Sequence, residues 1–431
     1  MKRIFLLLYL GFFLVGAVSA FSGFDAVFDT EITEEDSKKT NITFSGSVDI
    51  NLDYFFSGTL ETSQELDLSL LVASDRVETE ASLRFEAQTL QVQVDNLSLT
   101  YFSSWGTLSL GLLKKEWGAG DGVHVVDVLN AFDYSKGFSE DLLAMKRPEP
   151  MALATFYGKT STYELFIKPT YLPGTIPYEG KWSLLPASFA ATDIQEPKTD
   201  SLSYVQFGGR AKTIRGNLDL GLIYMNGYLM QSGYGNFVFD YSDPSNPFVS
   251  SADIVYTKTQ LLGAESTFVL GQWTFMGEGG YFFSEDASGT DPSLYNSKWV
   301  YLGGIGYLHP ASQLYLSLTY HGHFTLHYDS VDPLKLDVDY LQAYDNKAYG
   351  NNITLACELP LLSERLTLHL GGTYQIETTG YVLLGSAKYA IRDALHFIVQ
   401  GAVYGSIEDT SSIFKTWDVL DWVKIGVSHT F

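Results

Sequence analysis

The chain has 431 residues, of which 45% are hydrophobic and 15% aromatic, and its mean hydropathy is +0.02. The length suits two or three soluble domains or one large barrel, and the low hydropathy excludes a bundle of membrane-spanning helices. The formal net charge of −23 argues against nucleic acid as a partner, because a polyanion would be repelled. A single cysteine, Cys357, excludes an internal disulfide and a cysteine-based zinc site.

The first 20 residues have the three parts of a secretory signal peptide. Lys2 and Arg3 form the positive region, residues 4–18 form the apolar region, and small residues precede a cleavage site after Ala20. A retained N-terminal anchor is the alternative. We predict cleavage near Ala20, followed by an acidic and aperiodic segment at 21–40 that lies outside the main fold.

Beyond the acidic segment, the hydrophobic pattern takes a period of two residues. In the first such stretch, Ile50 and Leu52 alternate with Asp49, Asn51 and Asp53. A strand with this pattern has one apolar face and one wet face. The same alternation recurs to the end of the chain, which indicates an all-β fold.

Roughly eighteen stretches are predicted to be strands. They are 41–56, 63–73, 76–88, 90–102, 106–114, 150–158, 161–169, 202–214, 217–230, 253–270, 272–284, 298–308, 313–327, 349–359, 365–377, 380–390, 395–405 and 418–431. Connections after even-numbered strands are short, whereas several connections after odd-numbered strands are long, chiefly 115–149, 170–201, 231–252 and 328–348.

This segregation of loop length is typical of outer-membrane barrels rather than of soluble sandwiches. Closure into a barrel also pairs every backbone group, which is how strands can cross a bilayer. We predict that residues 41–431 form a transmembrane antiparallel β-barrel of about 16–18 strands, with short periplasmic turns and long extracellular loops.

The C-terminal sequence VKIGVSHTF places Val423, Ile425 and Val427 on one face and ends on Phe431. It resembles the last strand of Gram-negative outer-membrane β-barrels, which ends on an aromatic residue that the barrel-assembly machinery recognises. His429 departs from the aromatic or apolar residue usual at its position. The resemblance implies that the protein lies in the cell outer membrane, contacts its lipid, and is assembled through this strand. It is a resemblance of architecture and names no solute.

The loop 115–149 contains a motif that stands apart from the strands. Its residues are Trp117, Gly118, Asp121, Gly122, Asp127, Asn130, Asp133 and Arg147. The motif is similar to that of a group of uncharacterised porin-like barrel proteins, and the similarity implies a loop folded against or into the barrel. The glycines allow sharp turns. The side-chain oxygens could cap turns, which we favour, or constrict a pore, or bind a cation such as Ca²⁺.

The polar faces of the first three predicted strands carry mostly negative charge. The acidic residues are Asp49, Asp53, Glu65, Asp67, Glu78, Glu80 and Glu86, against Arg84 alone. If the apolar faces contact lipid, these acids line the lumen and concentrate cations there. The alternatives are a merely solvated face, or neutralisation by Arg and Lys from other strands or from a loop.

Sites for a metal, a cofactor or catalysis are poorly supported. His321 and His323 share the polar face of one predicted strand and are weak candidates for a transition-metal site, although polar lumen residues are the simpler interpretation. No nucleophile-elbow, phosphate-loop or zinc-protease motif occurs. We therefore predict a protein without a cofactor or an enzymatic activity.

The sequence thus predicts a porin-like outer-membrane channel for diffusion or selective uptake of small solutes, favouring cations or basic solutes. The alternatives are a plugged barrel that transports hydrophobic molecules, and a surface-exposed adhesin or structural barrel. Clear separation of polar and apolar faces in the first strands favours a wet pore. In residues 261–270, polar and apolar residues are poorly separated onto opposite faces, which keeps the hydrophobic-transport alternative open.

Overall fold

The computed structural model describes residues 40–431 except 140–141, 176, 178–179, 184–191, 243–247, 343–344 and 409–411. The predicted signal peptide and the segment 21–39 lie outside the described residues. Within the described part of the chain, no helix has both the length and the apolar character needed to cross a membrane.

In the described residues, the chain forms twenty-one strands, most of which belong to a single barrel. The strands are β1 Asn41–Phe55, β2 Leu60–Ala73, β3 Val77–Glu86, β4 Gln91–Ser103, β5 Gly106–Leu113, β6 Glu149–Tyr157, β7 Ser161–Lys168, β8 Asp193–Gln195, β9 Gln206–Arg215, β10 Leu218–Tyr228, β11 Gly233–Asp240, β12 Phe248–Val255, β13 Lys258–Leu270, β14 Trp273–Ser284, β15 Lys298–Leu308, β16 Tyr315–Thr325, β17 Tyr349–Leu361, β18 Leu366–Gln375, β19 Gly380–Arg392, β20 Leu395–Ser406 and β21 Trp422–Thr430.

Eighteen of these strands close into an antiparallel barrel, as the sequence predicts. All strands except β8, β11 and β12 belong to it, and each pairs with its neighbours in chain order. The last strand pairs with the first, with Ser47 opposite Thr430 and Phe55 opposite Trp422. Closure leaves no edge strand in the barrel, so its backbone groups are paired around the whole circumference.

A separate three-stranded sheet lies in the long connections. In it, β12 pairs antiparallel with β11 and parallel with β8. This pairing corrects one boundary, because the strand predicted at 253–270 begins at Lys258. Residues 253–255 alternate like their neighbours but belong to β12, and alternation alone cannot show where one strand ends and the next begins.

The two ends of the barrel differ in the length of their connections. Helical segments of the described chain are short and lie in the connections: α1 Leu142–Met145, α2 Val338–Leu341 and α3 Ile413–Thr416, with 3-10 turns at Leu202–Tyr204, Tyr328–Ser330, Pro333–Lys335 and Asp418–Leu420. We call the end that carries the long connections the loop end, and the opposite end the turn end. The predicted segregation of short turns from long loops is confirmed.

The outer face of the barrel is apolar on every side, but its inner face is not uniform. Leu222 and Leu262, for example, point outward and are 67% and 53% exposed. Along β1–β4 the inner face is polar, and we call it the acidic wall. On β6, β7, β10 and β13–β15 it carries buried apolar side chains, and we call it the covered wall. Those side chains are Met151, Leu153, Phe166, Ile223, Met225, Leu261, Phe282 and Val300.

The C-terminus completes the seam of the barrel. The backbone N–H of Phe431 donates to the carbonyl of Gly46 and its carbonyl accepts from the N–H of Gly46, both at 3.0 Å. The ring of Phe431 lies 6.1 Å from that of Phe44, centroid to centroid. His429 is buried, and its Nδ1 lies 3.1 Å from the carbonyl oxygen of Ala394. A polar ring is therefore accommodated at the position where the sequence departs from the usual pattern.

The other residues of the terminal pattern share one face of β21. Ile425 and Val427 lie opposite Leu52 and Ile50 of β1, on the outward side. Val423 lies opposite Tyr54 in the same register. The alternation read from the sequence is thus the alternation of outward and inward faces in the closing strand.

Candidate pore constriction

The connection between β5 and β6, residues 114–148, folds into the barrel and lies against the covered wall. Val126 is 0% exposed and belongs to the apolar cluster of that wall. Gly263 of β13 and Gly280 of β14 lie beneath it, and a Cβ on either would stand 3.3 Å from Val126 Cγ1. Glycine at these two inward positions therefore lets the loop approach the strand backbone closely.

One carboxylate on the wall receives the tip of this loop. Glu278 points inward from β14, and its side chain is 0% exposed. Its Oε1 accepts hydrogen bonds from the N–H groups of Ala119 and Gly120, both at 2.7 Å. Its Oε2 accepts from the N–H groups of Val125 and Val126 at 2.7 and 3.2 Å. We call this arrangement the Glu278 latch.

A chain of charges of alternating sign continues the latch into the loop. His124 Nδ1 lies 3.0 Å from Glu278 Oε1, and its Nε2 lies 2.5 Å from Glu116 Oε1. Lys146 Nζ lies 3.7 Å from Glu116 Oε2 and forms a buried ion pair with Asp127. Each of these five charged side chains has a neighbour of opposite sign on at least one side.

The position of His124 between two carboxylates shifts its protonation. Burial alone lowers the pKa of His124, but the hydrogen bonds to Glu116 and Glu278 outweigh it and raise the pKa to about 9. The same hydrogen bond from His124 lowers the pKa of Glu116 despite its partial burial. The imidazole is therefore charged at neutral pH, and its charge stabilises the loop in the lumen.

The Trp-Gly part of the predicted motif lies at the deep end of the loop. The Trp117 ring is buried, packs edge-on against Phe166 at 5.5 Å between centroids, and has the Arg210 guanidinium 5.4 Å from its centre. Gly118 and Gly122 have positive φ of 128° and 69°, a region that favours glycine. The carboxylate of Asp121 interacts with the hydroxyl of Tyr315 on β16.

The two later aspartates of the motif cap turns. Asp127 Oδ1 accepts from the N–H of Leu129 at 3.3 Å, in addition to its ion pair with Lys146. Burial raises the pKa of Asp127, and Lys146 opposes that rise. Asp133 Oδ1 accepts from the N–H of Ser135 at 2.9 Å. These oxygens are thus engaged by protein donors.

Asn130 and Arg147 join the two ends of the loop. Asn130 Oδ1 accepts from the N–H of Lys115 at 2.7 Å, while its Nδ2 donates to the carbonyls of Leu113 and Arg147, both at 2.8 Å. Arg147 Nη1 donates to the carbonyl of Pro173 at 2.7 Å, which ties this base to the next long connection. The loop is thus closed by an amide at its base and by a carboxylate at its tip.

The seven predicted acidic residues all lie on the acidic wall and are half-buried. Arg84 Nε lies 2.8 Å from Asp67 and 3.9 Å from Glu65. Lys424 of β21 lies 3.7 Å from Asp53. Neutralisation by neighbouring strands therefore takes place on part of this wall.

A lysine from the inserted loop also reaches the acidic wall. Lys136 Nζ forms an ion pair with Glu86 and lies 3.7 Å from Glu65. In the described part of the chain, Asp49, Glu78 and Glu80 have no ion pair of their own. These three carboxylates are the uncompensated part of the predicted acidic set.

The comparisons with known proteins match in fold and not in sequence. No family model matches the chain, and no curated protein matches it. OccK11 (OpdR) of Pseudomonas aeruginosa is 10% identical over 91% of this chain and 96% of its own, with a TM-score of 0.51. OccK10 (OpdN) of the same organism is 12% identical over 90% and 99%, also at 0.51. OccK2 (OpdF), solved in complex with glucuronate, is 11% identical over 91% and 98%, at 0.50.

This chain has the porin fold. Identities this low establish the architecture alone, so the site is interpreted from its own residues. The predicted resemblance to porin-like outer-membrane barrels is confirmed at that level.

The two histidines singled out in the sequence lie on the inner face of β16. His321 Nε2 is 3.1 Å from the hydroxyl of Thr354 on the adjacent strand β17. His323 follows two residues later on the same face. Among the described residues, no group of three or more His, Cys, Asp or Glu side chains is arranged to hold a metal ion.

A second contact holds the part of the inserted loop around Phe138, at the end of the barrel that carries the long connections. The Phe138 ring lies 5.6 Å from that of Phe414 and 5.5 Å from that of Trp417, both in the connection between β20 and β21. Trp182, from the connection after β7, lies 5.3 Å from Trp417. We call these four rings the aromatic clasp. The inserted loop therefore runs from the covered wall to the opposite side of the lumen.

Three residues that organise the loop were missed in the sequence. Glu278 stands in FMGEGGYFF as one acid among apolar residues and glycines, and an acid on an otherwise apolar strand is a usable signal. His124 and Lys146 lie within the motif but beside its more obvious residues. Nothing in the spacing of the sequence predicts that these three side chains meet.

Proposed function

We propose that the protein is a porin-like channel of the cell outer membrane that admits small solutes by diffusion or selective uptake and favours cations or basic solutes. One observation carries the proposal: the inserted loop packs on the covered wall and leaves the polar inner face of β1–β4 half-exposed. The apolar side chains of the covered wall are buried beneath the loop, whereas the acidic wall stays half-exposed. The remaining passage is therefore lined by polar groups that water can wet.

The loop 114–148 is the constriction of this channel. Its deep end lies beside β14 and β16, so it narrows the lumen and directs solutes along the acidic wall. Asp49, Glu78 and Glu80 supply the uncompensated charge on that wall. A wall of fixed negative charge beside a narrow passage raises the local concentration of cations.

The apolar residues that suggested hydrophobic transport have another role in this proposal. Leu261 points inward from β13 and is 0% exposed, because the inserted loop covers it. The weak separation of faces at 261–270 therefore reflects packing between loop and wall. This observation favours the wet channel over a passage for hydrophobic molecules.

The remaining parts of the proposal follow from the ends of the chain and from the outer face. The signal peptide would be removed near Ala20, the apolar outer face would contact outer-membrane lipid, and the barrel-assembly machinery would recognise the last strand through Phe431 and the apolar residues before it. The proposed function involves no nucleic acid, no cofactor and no catalysis.

Single-channel recording in planar bilayers under a salt gradient tests the proposal. We expect open-channel current with a reversal potential of the sign for cations. The triple variant Asp49→Asn, Glu78→Gln, Glu80→Gln should shift that potential toward zero. The matched control neutralises three exposed carboxylates of the connections, Asp200, Asp329 and Asp345, and should leave the potential unchanged.

Two results would contradict the proposal in different ways. Silence of the purified, folded protein at all voltages would exclude an open channel. Current with anion preference would keep the channel but exclude the role of the acidic wall.

A further inference from the structure

We infer that Glu278 is the positioning residue of the constriction: it fixes the tip of the loop 114–148 in the lumen and so sets the width of the passage. The inference rests on the proposed channel function and assigns a role to one side chain within it. It is carried by the hydrogen bonds of the Glu278 latch and by the burial of the groups that form them.

The tip of the loop brings backbone donors into a buried place. Without a partner, each buried N–H group costs a large part of its hydration energy. Glu278 accepts from four of them, two on each carboxylate oxygen. A charged acceptor makes stronger hydrogen bonds than a neutral one. The carboxylate is therefore the main polar group that compensates for insertion of the tip.

The latch also joins two separate segments of the tip. Oε1 contacts residues 119–120, and Oε2 contacts residues 125–126. Because one rigid carboxylate holds both segments, it fixes the shape of the tip as well as its position. An acceptor with a single oxygen could hold one of the segments only.

The sequence of the loop is adapted to a carboxylate at this point. A Cβ on Gly118 would lie 2.6 Å from Glu278 Oε1, and one on Gly120 would lie 2.0 Å from the carbonyl oxygen of Val123. Any side chain at either position would push the tip away from the wall. Gly118 is thus required by the carboxylate on the facing strand, and Gly120 by the tight turn of the tip itself.

Two other carboxylates on the same wall, Glu265 and Glu164, pair with Arg210. Glu265 lies directly opposite Glu278 in the register of β13 and β14. It forms an ion pair with Arg210 at 3.4 Å, and Arg210 pairs with Glu164 at 2.7 Å. Glu164 is therefore a wall carboxylate that contributes to the charge network without contacting the loop tip, and it provides the matched control.

The first test compares Glu278→Gln with Glu164→Gln in single-channel recordings. The amide keeps the size of the side chain but turns one oxygen into a donor that faces backbone donors. We expect Glu278→Gln to lose the single stable conductance level and to fluctuate among levels of larger mean conductance. Glu164→Gln should keep one stable level.

A disulfide tests whether position, and not charge, explains the effect. A Cβ on Gly263 would lie 3.5 Å from Val126 Cβ, which is within the range for a disulfide. In a Cys357→Ser background, we expect Val126→Cys with Gly263→Cys to restore a stable level to Glu278→Gln when oxidised. Reductant should remove that rescue, and the tethered variant also keeps the test possible if Glu278→Gln alone assembles poorly.

A chemical readout separates failure of this inference from failure of the proposed function. A Val126→Cys thiol in the Cys357→Ser background is buried and should react slowly with a maleimide. Adding Glu278→Gln should accelerate labelling whether or not the protein conducts. Unchanged labelling together with an unchanged conductance level would overturn the positioning role, whereas silence of the wild-type protein would count against the channel alone.

Discussion

The acidic wall and the covered wall are inner faces of the same barrel, formed by the same alternation, yet they have opposite polarity. Asp49 and Glu80 face the lumen on the first, and Leu261 and Val300 face inward on the second. Their outer faces are alike. The inner face of a strand therefore depends on whether the inserted loop covers it, whereas the outer face is apolar on both walls.

The largest expected difference between the walls concerns their ion pairs. Lys168 and Glu149 are 3% and 2% exposed and lie 3.0 Å apart under the loop, whereas Lys136 on the acidic side is 57% exposed. Lys168→Met leaves a buried charge unpaired and should lower the free energy of unfolding by about 3–5 kcal/mol. Lys136→Met should lower it by about 1 kcal/mol or less. Guanidinium unfolding in detergent measures both.

The double variant Lys168→Met, Glu149→Leu sharpens this first comparison. It removes both charges and should regain part of the lost stability, although the N–H of Ala131 loses its acceptor on Glu149. Equal losses for Lys168→Met and Lys136→Met would mean that the covered wall is wetter than its burial indicates.

Apolar packing should differ between the walls as well. Leu261→Ala removes a wholly buried side chain beneath the loop and should cost about 2–5 kcal/mol of unfolding free energy. Leu71→Ala, at a half-buried inward position on β2, should cost about 1 kcal/mol or less. The same unfolding assay applies, and similar costs at the two positions would contradict the distinction.

The expected cost of removing an asparagine side chain differs less between the two walls. Asn130 is 0% exposed and makes three hydrogen bonds that close the base of the loop, so Asn130→Ala should cost about 1–3 kcal/mol. Asn51 on the acidic wall donates to Ser63 at 3.3 Å and is half-buried, and its replacement by Ala should cost about 1 kcal/mol or less. Limited proteolysis of the loop should accelerate in the first variant only.

A pH dependence of the stability is expected on the covered wall as well. The pKa of His124 is raised from its ordinary 6.5 to about 9 in the folded protein. Its contribution to stability is therefore complete below pH 6.5 and is lost as the pH rises through about 9. The unfolding midpoint should fall over this window in the wild type. His124→Gln should flatten the fall, and an unchanged slope would contradict the role of the charged imidazole.

The strands were predictable because their signal is local. Each of the stretches predicted from alternation overlaps one strand of the barrel, and some boundaries differ because the chain enters the wall later than predicted, as at Lys258 and Trp422. The outer face is apolar on every side of the barrel, so the alternation is visible from residue 41 to the end. In the separate loop sheet, β8 and β11 were not predicted, and the end of β12 was joined to β13.

The constriction was predictable in outline only. The glycines and side-chain oxygens of residues 117–133 indicate a folded loop, and three roles for them stayed open. The partner of the loop tip lies more than a hundred residues away on β14, and pairing of this kind depends on the closed barrel. The acidic set was visible in the sequence, but its partial neutralisation by Lys136 and Lys424 again required strands and loops to meet in space.

The seam between β1 and β21 has a consequence for how the protein is made. β1 and β21 are the paired strands that lie farthest apart in the sequence, so we expect their pairing to be the slowest of the barrel. Until Phe431 pairs with Gly46, both terminal strands present unpaired edges that could bind other chains. A chain shortened by its last strand should therefore accumulate as an aggregation-prone precursor. Every other pair of strands can form in it, but the barrel stays open.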